Sequence, residues 1–161
     1  MTLSTMTRTA GHRPLRAAGT PTGMAAPVPA SALELLARSD AELVAAQLAS
    51  SDDERFLHAH LAALRAGAAL LQVTGRPTRR PVPRTVWEMV ALVAPELAEW
   101  TAFFADGAAA RSAVEAGRGD VVDAARADHT VAAAEDFQDV VRAFVRPEGT
   151  GTQGSLTLRA S

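Results

Sequence analysis

The chain contains no cysteine, lysine, isoleucine, asparagine or tyrosine. Without cysteine there can be no disulfide, thiolate zinc site or thiol nucleophile. The other four residues have AT-rich codons, so their absence reads as genomic GC pressure rather than as selection for guanidinium chemistry, although it leaves arginine as the sole side-chain cation besides histidine. Aromatic residues are also scarce, at 4%, within a chain that is 48% hydrophobic. Alanine supplies roughly a fifth of the sequence, well above ordinary usage. A core made of so many small side chains implies closely spaced helices rather than a sheet. No unbroken apolar run approaches the roughly 18 residues needed to span a bilayer, and the N-terminus lacks the apolar segment of a secretory signal. The expected location is cytoplasmic, with no membrane contact.

What is present organises 161 residues around one expected core. Residues 1–30 are rich in Thr, Gly, Pro and Ala without periodicity and read as a disordered leader. The leader carries Arg8, Arg13 and Arg16 and no acid, a composition resembling an organellar transit peptide; Met24 is an alternative start to Met1. Residues 146–161 return to Gly, Thr and Ser and read as a disordered tail. Between them, residues 31–145 are expected to form an all-α, antiparallel up-and-down bundle of four to five helices.

Within that segment Ser31 is placed as the cap of a first helix, with Leu33, Leu36, Leu43 and Leu48 as its apolar stripe. Ser51 and Glu54 have capping-box spacing and open a second helix. Leu57, Leu61, Leu64, Ala68 and Leu71 give that helix a seam, and Gly75 ends it. Residues 75–84 form a loop. Thr85 and Glu88 open a third helix, whose seam of Val86, Val90, Val93, Leu97, Trp100 and Phe104 must break near Ala94, because Pro95 cannot donate in mid-helix. Gly107 marks another interruption. Asp120 is assigned as the cap of a last long helix carrying Val122, Ala125, His129, Ala133, Phe137, Val140 and Phe144 on its buried face.

Two runs, Arg55-Phe56-Leu57-His58-Ala59-His60 continuing to Ala66, and Val93-Ala94-Pro95-Glu96-Leu97-Ala98-Glu99-Trp100 continuing to Ala105, resemble a small actinobacterial branch of the HEPN superfamily. The resemblance spans the whole helical part. It implies an all-α bundle, often dimeric, that is either a metal-independent ribonuclease or a module that has lost catalysis and binds RNA, a nucleotide or a protein partner. It implies no cofactor. The ribonuclease signature is an Arg, four to six intervening residues and a His near the start of a late helix. Such an enzyme needs an imidazole to move a proton and a cation to stabilise a crowded phosphate. Arg55 and His60 satisfy the spacing but lie on the second helix. Arg126 and His129 lie on the late helix but are too close in sequence.

Individual residues admit two readings. Arg55 and His58, three apart on one face, belong either to a solvated surface or, with His60, to a catalytic set. His60 is otherwise a neutral, hydrogen-bonded histidine of the core or an interface, and His129 is expected to be a buried structural histidine. No histidine pair has zinc-protease spacing, so no metal site is expected. Glu96 and Glu99 sit in a first helical turn, where the dipole accounts for them. Trp87 and Trp100 are taken as core anchors. The loop arginines Arg76, Arg79, Arg80 and Arg84 are the best candidates for phosphate contact. The net charge is −2, so removing the three leader arginines leaves −5 for the rest, and the loop would stand out against an acidic surface.

Overall fold

The computed structural model describes residues 26–78, 80 and 85–147. The leader up to residue 25, Arg79, Arg84 and the tail from residue 148 lie outside the described residues. Six α-helices and one 3-10 turn make up the described regular structure, with no strand: α1 Ala30–Leu48, α2 Asp52–Thr74, α3 Val86–Val93, the turn Pro95–Leu97, α4 Ala98–Asp106, α5 Ala108–Glu115 and α6 Ala124–Val145. Only Gly107 separates α4 from α5, in a helical conformation, so the two act as one interrupted rod.

Cross-helix bonds fix the directions. Ser31 to Gln72 and Ser39 to Ala62 set α1 antiparallel to α2, and Gln47 to Glu135 and Gln138 to Ser39 set α1 antiparallel to α6. His60 meets Phe104 while Trp100 meets Phe137 and Phe103 meets His129, so α4 opposes both α2 and α6. Four long rods therefore run up and down, with α3 as a short insertion.

The most central helix is α2, and its inner face differs from the seam read in the sequence. Ala59, Ala62, Ala63, Ala66 and Ala69 are wholly enclosed, together with Phe56, His60 and Leu70. Leu57, Leu61, Leu64 and Ala68 are only half-buried flanks. Small side chains bring helix axes together, so the alanine face sits at the closest approach and the bulkier leucines fill the splay on either side. Gly67 belongs to the same pattern: a Cβ there would come within 3.0 Å of Val86 Cγ1. By length and composition α2 could cross a membrane. Arg65 interrupts its apolar run, and its packing against α1, α3, α5 and α6 is that of a bundle's core helix.

Several local expectations shift. Pro29, not Ser31, precedes α1, and no side chain caps it; the Ser31 hydroxyl donates instead to Gln72 Oε1. Asp123, not Asp120, caps α6, accepting from Arg126 N at 2.8 Å, and Asp120 takes a positive φ of 54° in the preceding turn. The buried residues of α6 are Ala127, Thr130, Ala133, Ala134, Phe137, Gln138, Val141 and Val145; Ala133 and Phe137 of the expected face are buried, whereas Ala125 and His129 are exposed. Leu48 is also exposed, at 79%. Thr85 and Glu88 form the expected reciprocal capping box, and the break at Ala94 with Pro95 opening a new turn is present.

Candidate functional site

The break between α4 and α5 creates the most chemically furnished region. A helix end leaves its last carbonyls without intrahelical partners, and here the buried His60 of α2 takes one of them. Its Nε2–H donates to the Phe104 carbonyl at 2.8 Å. The acceptor is a carbonyl, so Nε2 carries the proton and Nδ1 the lone pair. That Nδ1 is buried and has no hydrogen-bond partner among the described residues. Gly107 makes room for the ring, since a Cβ there would lie 3.0 Å from His60 Cδ2 and 3.1 Å from Nε2. Around the imidazole stand Phe56, Trp87 and Phe104, with ring centroids 5.8, 6.0 and 5.8 Å away. Burial holds the pKa of His60 below its ordinary value; the bond to Phe104 opposes that shift, while the charges of Arg111 and Arg126 reinforce it. His60 is a neutral hydrogen-bonded imidazole.

His60 borders a cavity of about 190 Å³ whose other lining includes Phe56, Phe103, Asp106, Arg126 and His129. Arg126 lays its guanidinium 5.4 Å from the centroid of Phe56, in cation–π range, and forms no ion pair among the described residues. His129 packs its ring 5.1 Å from that of Phe103. The two are three residues apart at the start of α6, so they share a face.

The sequence-derived candidates do not converge. Arg55 extends away to Asp128, at 2.8 Å, and to Asp52, at 3.5 Å. It lines a separate groove with Gln47 and Glu135. His58 turns toward α1, where its Nδ1 lies 2.8 Å from Glu42 Oε2. The other oxygen of Glu42 accepts two bonds from Arg65, at 3.1 and 2.7 Å. Arg55, His58 and His60 thus face three environments. Arg76 and Arg80 are exposed and make no ion pair among the described residues, in contrast to Arg55, Arg65, Arg111 and Arg142, each set against a carboxylate. Glu96 and Glu99 are exposed in the first turns after Pro95. Trp87 stacks on Phe104 at 5.0 Å as a core anchor, and the half-buried Trp100 meets Phe137 at 6.0 Å.

Of these cavity residues, sequence reasoning passed over Asp106, set Arg126 and His129 aside as too close together for the ribonuclease signature, and expected His129 to be buried. The available signal was an arginine and a histidine on one face of the late helix, separated by an interval shorter than the ribonuclease signature. A larger groove between α1 and α6, about 710 Å³, is lined by Leu33, Leu36, Asp139 and Arg146, but its Arg142 is already paired with Asp40. Among the described residues no cluster of His, Asp or Glu has metal-binding geometry.

No curated protein and no solved structure matches the chain. A family model described as HEPN-like matches residues 46–142, from the end of α1 into the last turns of α6, taking in both the His60 cavity and the basic loop. With more than half its length so matched, the chain belongs to this HEPN-like family.

Proposed function

We propose that this HEPN-like chain is a binding module for RNA that does not cleave it. The observation that carries the non-catalytic half is the separation of Arg55 from His60: the guanidinium is committed to Asp128 and the imidazole is neutral and tied to Phe104. Neither is free to act on one phosphate with the other. The binding half rests on Arg76 and Arg80, exposed and without carboxylate partners among the described residues, with Arg79 and Arg84 close by in sequence. Four guanidiniums close in sequence attract a phosphate backbone by field and by bidentate donation. Family membership supports RNA or a nucleotide as ligand over other polyanions.

Binding to single-stranded RNA is expected to be sequence-indifferent and to weaken with salt, with a log–log slope of about two to four. Replacing Arg76, Arg79, Arg80 and Arg84 together with Gln is expected to abolish that slope and leave helicity unchanged. Retention of affinity in the quadruple variant sinks the loop assignment, and absence of wild-type binding at low salt leaves a protein partner as the reading to pursue. A second reading, metal-independent cleavage, is favoured by one observation: Arg126 and His129 stand together at the start of the late helix. RNA that stays intact with the wild type in chelator, at any pH from 6 to 8, removes it.

A further inference from the structure

Two opposite charges stand at the cavity beside His60, each at the helix end that suits it least. Asp106 is the last residue of α4, where the helix dipole favours a cation, and Arg126 lies in the first turn of α6, where the dipole favours an anion. Both are exposed, and both line the same cavity of about 190 Å³. Among the described residues neither forms an ion pair, with the other or with a third group; the Arg126 guanidinium rests on the Phe56 ring. Local stability does not account for this placement. An unpaired carboxylate and an unpaired guanidinium on one opening offer an acceptor and several donors to whatever lies between them. Phe56, Phe103 and Phe104 also line the cavity, and His129 packs its ring 5.1 Å from Phe103, so the walls favour a flat occupant. An apolar cavity of about 150 Å³ accommodates benzene, so this one has the volume for a single substituted six-membered ring.

We propose that the cavity binds one cytosine ring, stacked on Phe103, with its exocyclic amine donating to Asp106 and its N3 and O2 accepting from Arg126. A carboxylate accepting from the cytosine amine is a recurrent way of reading that base, and a guanidinium supplies donors for the rest of the edge. Together the two side chains present to cytosine the acceptor and donors that guanine presents to it. Uracil carries a carbonyl where cytosine carries the amine, so it sets an acceptor against the Asp106 carboxylate. The ring comes either from free cytidine or from an unpaired cytidine of single-stranded RNA, whose splayed bases are read on this edge. The second source rests on the RNA-binding reading; the site itself does not, because cytidine needs no contact with the basic loop. In RNA the cavity adds a base preference to a loop that reads phosphate alone.

The test follows the amide resonances of Asp106, Gly107 and Arg126 in the ¹⁵N-labelled full chain during titration with cytidine and with uridine. A saturable shift is expected with cytidine, at an affinity at least about tenfold above that for uridine. Asp106→Asn exchanges the carboxylate for an amide that can present either a donor or an acceptor, and is expected to bring the two nucleosides within about twofold of each other. The same variant is expected to hold or raise the unfolding midpoint, because it removes a charge from the unfavourable end of α4; a midpoint that falls assigns Asp106 to the fold and overturns its role here. Arg126→Gln is expected to weaken cytidine binding at least about fivefold. Short oligocytidylate and oligouridylate compared at high salt, where phosphate contacts weaken, separate the two sources. Preference for oligocytidylate there assigns the base to RNA, and cytidine binding without that preference assigns it to the free nucleoside. Glutamine at the four loop arginines is expected to leave the cytidine titration unchanged, so failure of RNA binding and failure of this site are read separately. Equal affinity for cytidine and uridine overturns the proposal, as does a cytidine titration that moves none of the three amides.

Discussion

His60 occupies a position where a helical bundle ordinarily carries a hydrocarbon, and it does so through one bond and one missing methyl group. The bond satisfies a carbonyl that the α4 break exposes; the missing methyl is that of Gly107. Because Gly107 is helical, at φ −75°, alanine there costs nothing in backbone strain and acts only through the 3.0 Å contact with the imidazole. Gly107→Ala is therefore expected to displace the ring, weaken its bond to Phe104 and destabilise the fold by about 1–3 kcal/mol in denaturant unfolding. The same residue sets a pH dependence. The folded state holds the His60 pKa below the ordinary 6.5, so the unfolded chain binds more protons as pH falls through that value. Stability is full above pH 6.5 and declines below it, at no more than about 1.4 kcal/mol per pH unit from this one group. His60→Gln is expected to flatten urea-unfolding stability between pH 5 and 6.5, and a slope that persists unchanged would assign the effect elsewhere. Glu54, whose carboxyl the Ser50 hydroxyl and backbone amide hold below its usual range, acts in a lower window, losing its contribution as pH falls through the carboxylate range.

The helices themselves were largely legible, because punctuation in this chain is local. Gly75, at φ 83°, and Pro95 stop and start helices wherever they occur, and the Thr85–Glu88 box needs only residues three apart. α3 has eight residues, too few to hold a helix unaided, so Thr85→Ala is expected to cost about 1 kcal/mol and to raise amide exchange across residues 86–93. What stayed hidden depends on distant groups. Asp53, on α2, accepts from the amides of Val121 and Val122 at 3.1 and 2.8 Å. That clamp draws the turn against α2 and delays α6 until Asp123, three residues past the aspartate that sequence proposed. His129 falls outside the buried face of α6 and lies at the cavity rim instead of inside the core. Likewise, leucine spacing marked the second helix as apolar but could not show that its neighbours approach along the alanines. The cavity joins α2, the α4–α5 break and α6, so no local spacing could have outlined it.

On the scale of the molecule, the thin, alanine-lined core makes pairing of two copies an expectation, and an exposed apolar pair on α1 is one face to test for it. Val44 and Leu48 stand 54% and 79% exposed on α1, one turn apart and outside the helix's core face. A Val44→Asp, Leu48→Asp double variant is expected to sediment as a monomer where the wild type dimerises; a wild type that is monomeric at 100 μM ends this expectation. Alanine also takes on a double character here. Codon bias scatters it everywhere, and at exposed sites such as Ala37, Ala102 and Ala132 nothing in the packing requires it. At Ala59, Ala62, Ala63, Ala66 and Ala69 the side chain is wholly enclosed, where larger residues overpack the core. Mutational tolerance along this chain should thus split into two populations within a single residue type. A genome drifting toward lower GC content would be free to replace the outer alanines and would find the inner ones fixed.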